Sequence, residues 1–243
     1  MKISIITVVR NGAEVLEQTI KSVLTQEYDD FEYIIIDGAS TDGTLQVVDK
    51  YRNQLAQLVS EPDNGIYEAM NKGIKLCSGD IIGIINAGDY YFPGALQKVA
   101  DTFHGKKLDE YIFWGDVEYS KIGTVRGWRP NNLKRGAFAT HPSMFTPRAV
   151  YERIGLYDES YNLLGDYEFM YRAINIHEIK TLYLPELIAY YEEGGLSDRN
   201  IIACLRDELR VKQRYGASKI STNLMFWLKI IKNSPRIIRN QVR

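Results

Sequence analysis

Apolar residues recur along this chain in two rhythms. Short unbroken runs rich in β-branched residues, at Ile3–Val9 and at residues 33–36, 58–60 and 81–85, are too brief for helices and predict buried strands. Between them, apolar positions return every three or four residues: Leu16, Ile20, Val23 and Leu24; Leu45, Val48, Tyr51 and Leu55; Tyr67, Met70, Ile74 and Cys77. Each set predicts a helix with one face turned inward. Strands alternating with helices in this way predict a parallel sheet of right-handed βαβ units. Polar turns end three of the strands, at Arg10-Asn11-Gly12, at Asp37 with Gly38 to Gly43 behind it, and at Asn86-Ala87-Gly88-Asp89. In a parallel sheet such ends share one edge, so residues far apart in sequence meet in a single crevice.

The second half is less regular. A helix over residues 93–104 opens with Pro93 and buries Leu96, Val99 and Phe103. Strand segments are expected at 111–114 and 117–119, interrupted by Gly115-Asp116, and at 123–129, 141–145, 181–184 and 188–191. Arg148–Ile154 reads as a short helix stopped by Gly155. Residues 166–176 and 199–215 read as longer helices, the latter with Asp207, Glu208, Arg210 and Lys212 on its solvent side. From residue 219 on, Lys219, Lys229, Lys232, Arg236, Arg239 and Arg243 meet no acidic residue and interleave with Leu224, Phe226, Trp227, Leu228 and Ile231. A basic amphipathic segment with an aromatic anchor suits an anionic membrane surface. It equally suits a helix docked by its apolar face on the rest of the protein.

Composition narrows the function classes. The 243 residues are 45% hydrophobic and 25% charged, an ordinary globular balance, and a formal net charge of −1 gives no reason to expect nucleic acid as a partner. Cys77 and Cys204 lie far apart and read as reduced core thiols of a cytoplasmic protein. The first apolar run is too short for a secretory signal, and no run is long enough to span a membrane. A cytoplasmic location is therefore expected, with residues 219–243 as the route to peripheral attachment.

Five blocks carry a resemblance. They are Ile-Ser-Ile-Ile-Thr-Val-Val-Arg-Asn from residue 3, Tyr-Ile-Ile-Ile-Asp-Gly-Ala-Ser-Thr-Asp-Gly-Thr from 33, Asp-Asn-Gly-Ile-Tyr-Glu-Ala-Met-Asn-Lys-Gly-Ile from 63, Asn-Ala-Gly-Asp from 86 and Gly-Asp-Tyr-Glu-Phe-Met-Tyr-Arg from 165. In this order the chain, over roughly residues 1–195, resembles the inverting glycosyltransferases of family 2, which have the GT-A fold. Within that family it is most similar to bacterial enzymes that build capsular, exopolysaccharide or O-antigen repeat units. The resemblance implies a GT-A domain over residues 1–198, with a nucleotide-sugar half at about 1–104 and an acceptor half at about 105–198, followed by C-terminal helices over 199–243. It implies a nucleotide-diphosphate-sugar donor, a UDP-sugar first, and a glycan or polyprenyl-diphosphate-linked acceptor.

Residue roles follow from the same resemblance. Asp37 matches the aspartate that binds the donor's ribose or base, and a carboxylate suits ribose hydroxyls or a uracil N–H. Thr7, Val8 and Arg10 match the segment lining the nucleotide pocket. Lys72 either approaches the donor or is a solvated lysine. Asp89 matches the last aspartate of a D-x-D metal site, through which Mg²⁺ or Mn²⁺ would bridge to the diphosphate. Asn86 and Gly88 stand on the donor side where further carboxylates are usual, and Tyr191-Glu192-Glu193 stands where a metal-binding histidine often lies. Asp166 matches the catalytic base, kept ionised by a helix N-terminus. Gly165 takes the place of the acidic residue usually before it. His141 either lines the acceptor side or is a satisfied core histidine, and Asp116 either binds acceptor hydroxyls or a helix N-terminus. Arg126, Arg129, Lys134 and Arg135 either meet a lipid diphosphate or form a solvated face.

Other classes fit less well. A sugar nucleotidyltransferase needs a glycine- and arginine-rich phosphate loop early in the chain, and a dehydrogenase needs G-x-G-x-x-G after the first strand; neither is present. A non-catalytic nucleotide- or glycan-binding partner protein is motivated by the thinned metal motif and opposed by Asp166.

Overall fold

The computed structural model describes residues 1–126, Leu133 and residues 141–241. Nine strands among them form one sheet: β1 (Ile3–Val9), β2 (Phe31–Asp37), β3 (Gln57–Ser60), β4 (Ile81–Asn86), β5 (Tyr90–Tyr91), β6 (Tyr111–Tyr119), β7 (Gly123–Val125), β8 (Phe145–Pro147) and β9 (Lys180–Tyr191). They run in the order β3-β2-β1-β4-β8-β6-β9-β5, with β7 added to β6. The first four strands are parallel in pairs, while β8 is antiparallel to both β4 and β6.

Period-two alternation divides the core. Ile6, Val8, Ile34, Ile36, Ile82 and Ile84 face α3 (Ile66–Leu76), α5 (Arg148–Ile154) and α6 (Gly165–Asn175). Ile3, Ile5, Val9, Ile35, Ile81 and Ile85 face α1 (Leu16–Leu24), α2 (Thr44–Asp49) and α4 (Ala95–Phe103). Cover on both faces is why these strands read as unbroken apolar runs. A Leu16→Ala change at this fully buried position would cost about 2–5 kcal/mol.

The structure departs from the sequence reading in several places. The expected strand at 141–145 is a 3₁₀ turn over His141–Ser143 that leads into β8. Pro142 has no N–H to give a ladder, and Ser143 Oγ instead donates to the Gly115 carbonyl at 3.0 Å. The paired segments on either side of 115 and 186 are each one continuous strand, because β6 and β9 absorb the irregularity as register shifts at Gly115, Asp116 and Val117. A Cβ on Gly115 would lie 2.2 Å from Ile188, so the bulge needs glycine. In α2, Val47 rather than Leu45 packs inward beside Val48, and a short 3₁₀ turn at Arg52–Gln54 replaces its last turn. β5 was not expected. The strand expected through 129 is described only as β7, and Arg129, Lys134 and Arg135 lie outside the described residues.

The C-terminal region is helical: α7 (Leu196–Arg199), α8 (Ile201–Arg214) and α9 (Lys219–Gln241). The expected solvent side of α8 is partly an interface. Glu208 and Lys212 are buried, and Glu208 accepts hydrogen bonds from both Lys212 and Lys229 of α9. Asp207 accepts from the backbone N–H groups of Leu163 and Leu164 at 3.1 and 3.3 Å, which ties α8 to the turn entering α6.

Candidate active site

A cleft of about 1230 Å³ opens off the carboxyl ends of β1 and β4. Its walls are the Val8–Gly12 segment, Asn86 to Gly88, Lys121 with Ile122, and a strap running from Glu192 to Arg199. The first wall is fixed by interlocked turns. Asn11 adopts a left-handed φ of 52°, its N–H donates to Ser40 Oγ, and its side-chain oxygen accepts from Thr41 N at 2.9 Å. Gly12 N donates to Thr44 Oγ1 and Ala13 N to Asp42. The polar turns after β1 and β2 thus hold each other, which is what their Ser, Thr and Asp residues are for locally.

Asp37 is fully buried and pairs in register with Val9 beside this wall. Its Oδ2 accepts from Ser40 N at 3.0 Å and Ser60 Oγ at 2.6 Å, while Oδ1 is buried without a hydrogen-bond partner among the described residues. One oxygen thus does turn-forming work. Val8 and Arg10 border the cleft, with Arg10 exposed. Thr7 does not: its hydroxyl is buried against Tyr33 OH at 2.9 Å inside the sheet. Lys72 is also engaged elsewhere, with Glu61 at 2.9 Å, Glu68 at 3.0 Å and the Pro62 carbonyl at 2.9 Å. It clamps the loop before α3 and is not among the described residues that line the cleft.

Asn86 and Gly88 line the cleft, Gly88 with a left-handed φ of 102°. Asp89 lies beneath them, nearly inaccessible, with Oδ1 accepting from Glu192 N at 2.9 Å and its carbonyl accepting from Thr19 Oγ1. Burial, with the nearby Glu192 charge adding to it, pushes the Asp89 carboxyl up to about 8. The Asn86 side-chain oxygen is buried without a partner among the described residues. Among the described residues, no three His, Cys, Asp or Glu side chains cluster as a metal site.

Asp166 opens α6 and keeps part of its surface accessible. Its Oδ1 accepts from Tyr167 N at 2.8 Å and from Tyr67 OH at 3.2 Å. Those bonds favour the carboxylate, as a helix start should, yet burial outweighs them and raises the group to about 6. A Cβ on Gly165 would lie 2.9 Å from the Tyr67 ring, so Tyr67 occupies the space an acidic neighbour would need. α6 itself is braced by buried Glu168, which pairs with Arg172 at 3.0 Å and accepts from Tyr215 OH. Asp166 is not among the described residues that line this cleft. The Tyr191 phenol, held neutral by burial and then by the charges of Asp198, Asp89 and Asp166, is within electrostatic reach of both carboxylates.

On the remaining side, Asp116 is buried at the β6 bulge, its Oδ1 accepting from Tyr183 OH at 2.6 Å and its Oδ2 lying 3.9 Å from Arg126. It binds a phenol, not a helix N-terminus. His141 is buried with no partner on either ring nitrogen among the described residues, and burial pushes it down to about 4, so it is neutral.

Sequence reasoning missed several residues. Tyr67 touches Asp166, and Asn71 bonds the Tyr157 carbonyl, the Tyr157 N–H and Glu159. Both sit in the block from residue 63, whose tight mix of Asn, Gly and Tyr was the available signal. Lys121 and Arg199 border the cleft without any signal of their own, because β6 and α7 bring them in from the irregular half, and Glu192, marked in the sequence only as standing in place of a histidine, borders it too.

Comparison with known proteins agrees with this arrangement. A glycosyltransferase of Mycobacterium bovis named for PGL/p-HBAD biosynthesis is 29% identical over 239 residues, covering 95% of this chain and 93% of its own. An uncharacterized glycosyltransferase of Mycobacterium tuberculosis is 30% identical over 187 residues, 74% of this chain and 71% of its own. Among solved structures, S. aureus TarS 1–349 in complex with UDP-GlcNAc superposes with a TM-score of 0.70 at 17% identity, covering 99% of this chain and 79% of that one. The mannosyltransferase PcManGT from Pyrobaculum calidifontis, in complex with GDP-Man and Mn²⁺, gives 0.66 at 16% identity over 98% of this chain and 73% of that one. These likenesses identify the mixed sheet with flanking helices as the GT-A fold. Residues 4–165 match the family described as Glycosyl transferase family 2, and the chain belongs to that family of glycosyltransferases.

Proposed function

We propose that this glycosyltransferase acts with inversion, moving a sugar from a nucleotide-diphosphate donor to a carbohydrate or polyprenyl-diphosphate-linked acceptor in the synthesis of bacterial surface polysaccharide. The observation that carries the reading is Asp166: a partly accessible carboxylate at a helix start, raised to about 6 and hydrogen-bonded by Tyr67. A base of that strength is ionised at neutral pH and still accepts a proton readily. In the transfer, Asp166 takes the proton from an acceptor hydroxyl as its oxygen bonds to the anomeric carbon. The bond from that carbon to the donor's phosphate oxygen breaks, and its electron pair leaves on the diphosphate.

The donor is assigned to the cleft on the side formed by the first half, about residues 1–104, and the acceptor to about 105–198, with His141 and Asp116 on that side. The unpartnered Oδ1 of Asp37 supports a role with ribose hydroxyls or an N–H of the base. Val8 and Arg10 flank the nucleotide, and Asn86 and Gly88 its diphosphate. A UDP-sugar is the first candidate, since TarS is solved with UDP-GlcNAc, and GDP-sugars come next.

The residues fit a divalent cation only when the donor supplies the rest of its ligands. Arg10, Lys121 and Arg199 are balanced along the cleft by Glu192, Glu193 and Asp198, so the lining is formally neutral and a diphosphate there needs a counter-ion. Asn86 at the cleft wall, and Asp89 beneath it once its carboxyl is ionised, would hold Mg²⁺ or Mn²⁺, which when bound would neutralise charge gathering on the leaving diphosphate.

A thermal-shift panel of UDP, GDP and their sugars, with and without Mn²⁺, tests the reading. Ligand at a hundred times Kd stabilises by about 2.7 kcal/mol, so one nucleotide should raise Tm and Asp37→Ala should lose the rise. No rise with any nucleotide would favour a non-catalytic partner protein.

A further inference from the structure

Helix α9 is turned the unexpected way round. An amphipathic helix that serves only to cover a domain buries its apolar stripe. Here the side against α8 is mixed: Thr222 is buried and accepts from Gln213 Nε2 at 3.1 Å, and Lys229 reaches Glu208 at 2.6 and 2.8 Å. Phe226 joins Leu205 and Leu209 at that contact. The opposite side shows Ile220, Leu224, Trp227, Leu228 and Ile231 to solvent, at 84, 61, 61, 58 and 68% exposure. Steps of four, three, one and three residues put these five on one face of the helix.

The helix backbone is maintained through this stripe although Pro235 lies within it. Pro235 cannot donate to the Ile231 carbonyl, and Ser234 Oγ does so instead at 2.8 Å. A pinned, continuous helix therefore presents a row of leucine, isoleucine and tryptophan that none of the described residues covers.

Charge decides what covers it. Residues 219–243 hold six Lys and Arg and no Asp or Glu. Glu208 of α8 answers Lys229, and the sequence from 219 on supplies no acidic residue to answer its other Lys and Arg residues. Face-to-face pairing with a second copy would set two such basic helices against each other. An anionic lipid surface instead answers every one of those charges while taking the apolar stripe and Trp227 into its interfacial layer. No helix among the described residues is long and apolar enough to cross a membrane, so the contact is with the surface.

We infer that α9 is a membrane-docking element that lays Ile220, Leu224, Trp227, Leu228 and Ile231 into the interface of an anionic bilayer, with its basic residues on the headgroups. The placement makes sense of the neighbouring groove. Asp198 borders both the cleft and the groove between α8 and α9 that Lys232 also borders, so the docked helix and the site share a wall. The docking itself holds whatever reaction the cleft performs.

Co-sedimentation of the full chain with phosphatidylcholine vesicles containing about one-third phosphatidylglycerol is the test, because each basic residue near such a surface is worth roughly a fivefold change in affinity. The wild type should sediment with these vesicles, remain in solution with pure phosphatidylcholine, and be released by high salt. Leu224→Glu with Trp227→Glu should abolish sedimentation, and Lys232→Gln should weaken it by about fivefold. All three residues are exposed, so the Tm of each variant should match the wild type. Truncating α9 is the poorer variant because it uncovers buried Leu205 and Glu208. Three results would each overturn the inference: no sedimentation of the wild type, equal binding to neutral vesicles, or a dimer in sedimentation velocity that Trp227→Glu dissociates.

Discussion

The hydroxyl of Tyr67 lies 3.2 Å from Oδ1 of Asp166, joining α3 to the start of α6 across 99 residues of sequence. The same hydroxyl is 2.9 Å from the Leu163 carbonyl, so its single proton is shared between carbonyl and carboxylate. Tyr67 therefore both places the turn that carries Asp166 and sets how strongly that carboxylate holds a proton.

Tyr67→Phe removes a donor that favours ionised Asp166, so the group should rise above about 6. A base must be deprotonated to act, so kcat/KM falls as pH drops through its pKa. The acidic limb of the pH–rate profile should move to higher pH in the variant. At the optimum the loss should stay within about tenfold, the worth of one hydrogen bond. An unmoved limb would separate Tyr67 from the titrating group.

Gly165 is required by packing. Gly165→Ala drives a methyl into the Tyr67 ring, whose nearest atoms lie 2.9 Å from the Cβ position. Overpacking of this kind costs about 1–3 kcal/mol, to be read as a lower midpoint in urea unfolding, with transfer activity falling as the turn shifts. A stability equal to wild type would mean that the ring moves aside freely.

Nucleotide affinity should depend on the free oxygen of Asp37. Asp37→Asn keeps an acceptor for Ser40 N while replacing the carboxylate, and should weaken binding by about 10- to 100-fold, the range for hydrogen bonds to a charged group. Calorimetric titration of the nucleotide checks this. Unchanged affinity would leave Asp37 with its turn-forming role alone.

Glu32 supplies a stability prediction away from the site. Burial alone would raise its carboxyl, but hydrogen bonds from Lys2, Ser4 and Ser78 outweigh it and bring the group from 4.5 down to about 2. A group lowered by folding stabilises above its unfolded pKa. That contribution is present above 4.5 and lost as pH falls toward 2. Glu32→Gln should cost about 1–3 kcal/mol at neutral pH and progressively less against wild type in acid. A gap that is constant with pH would contradict the assignment.

The first half was legible because its signals are local. Doubly covered strands made solid apolar runs, one-sided helices made periodic ones, and the turns carried Asn, Gly, Asp and Ser. The second half was less so because its geometry is set across the sheet. The Gly115–Asp116 break is a bulge only because β9 lies beside it, and β5 exists only as a partner of β9. Site residues divide the same way. Asp37, Asn86 and Asp166 sit at element ends that the pattern marks, whereas Thr7 alternates into the sheet and Lys72 finds acidic partners in its own loop. The strap from Glu192 to Arg199 reaches the cleft by tertiary contact alone.

The most direct test of inversion with Asp166 as base is the anomeric configuration of the product, read by proton NMR with the donor that the thermal-shift panel selects. An α-linked nucleotide sugar should give a β-linked product, with Asp166→Asn slowing transfer by about 10²- to 10⁴-fold while donor binding is kept. An α-linked product, or normal turnover by Asp166→Asn, would contradict the account.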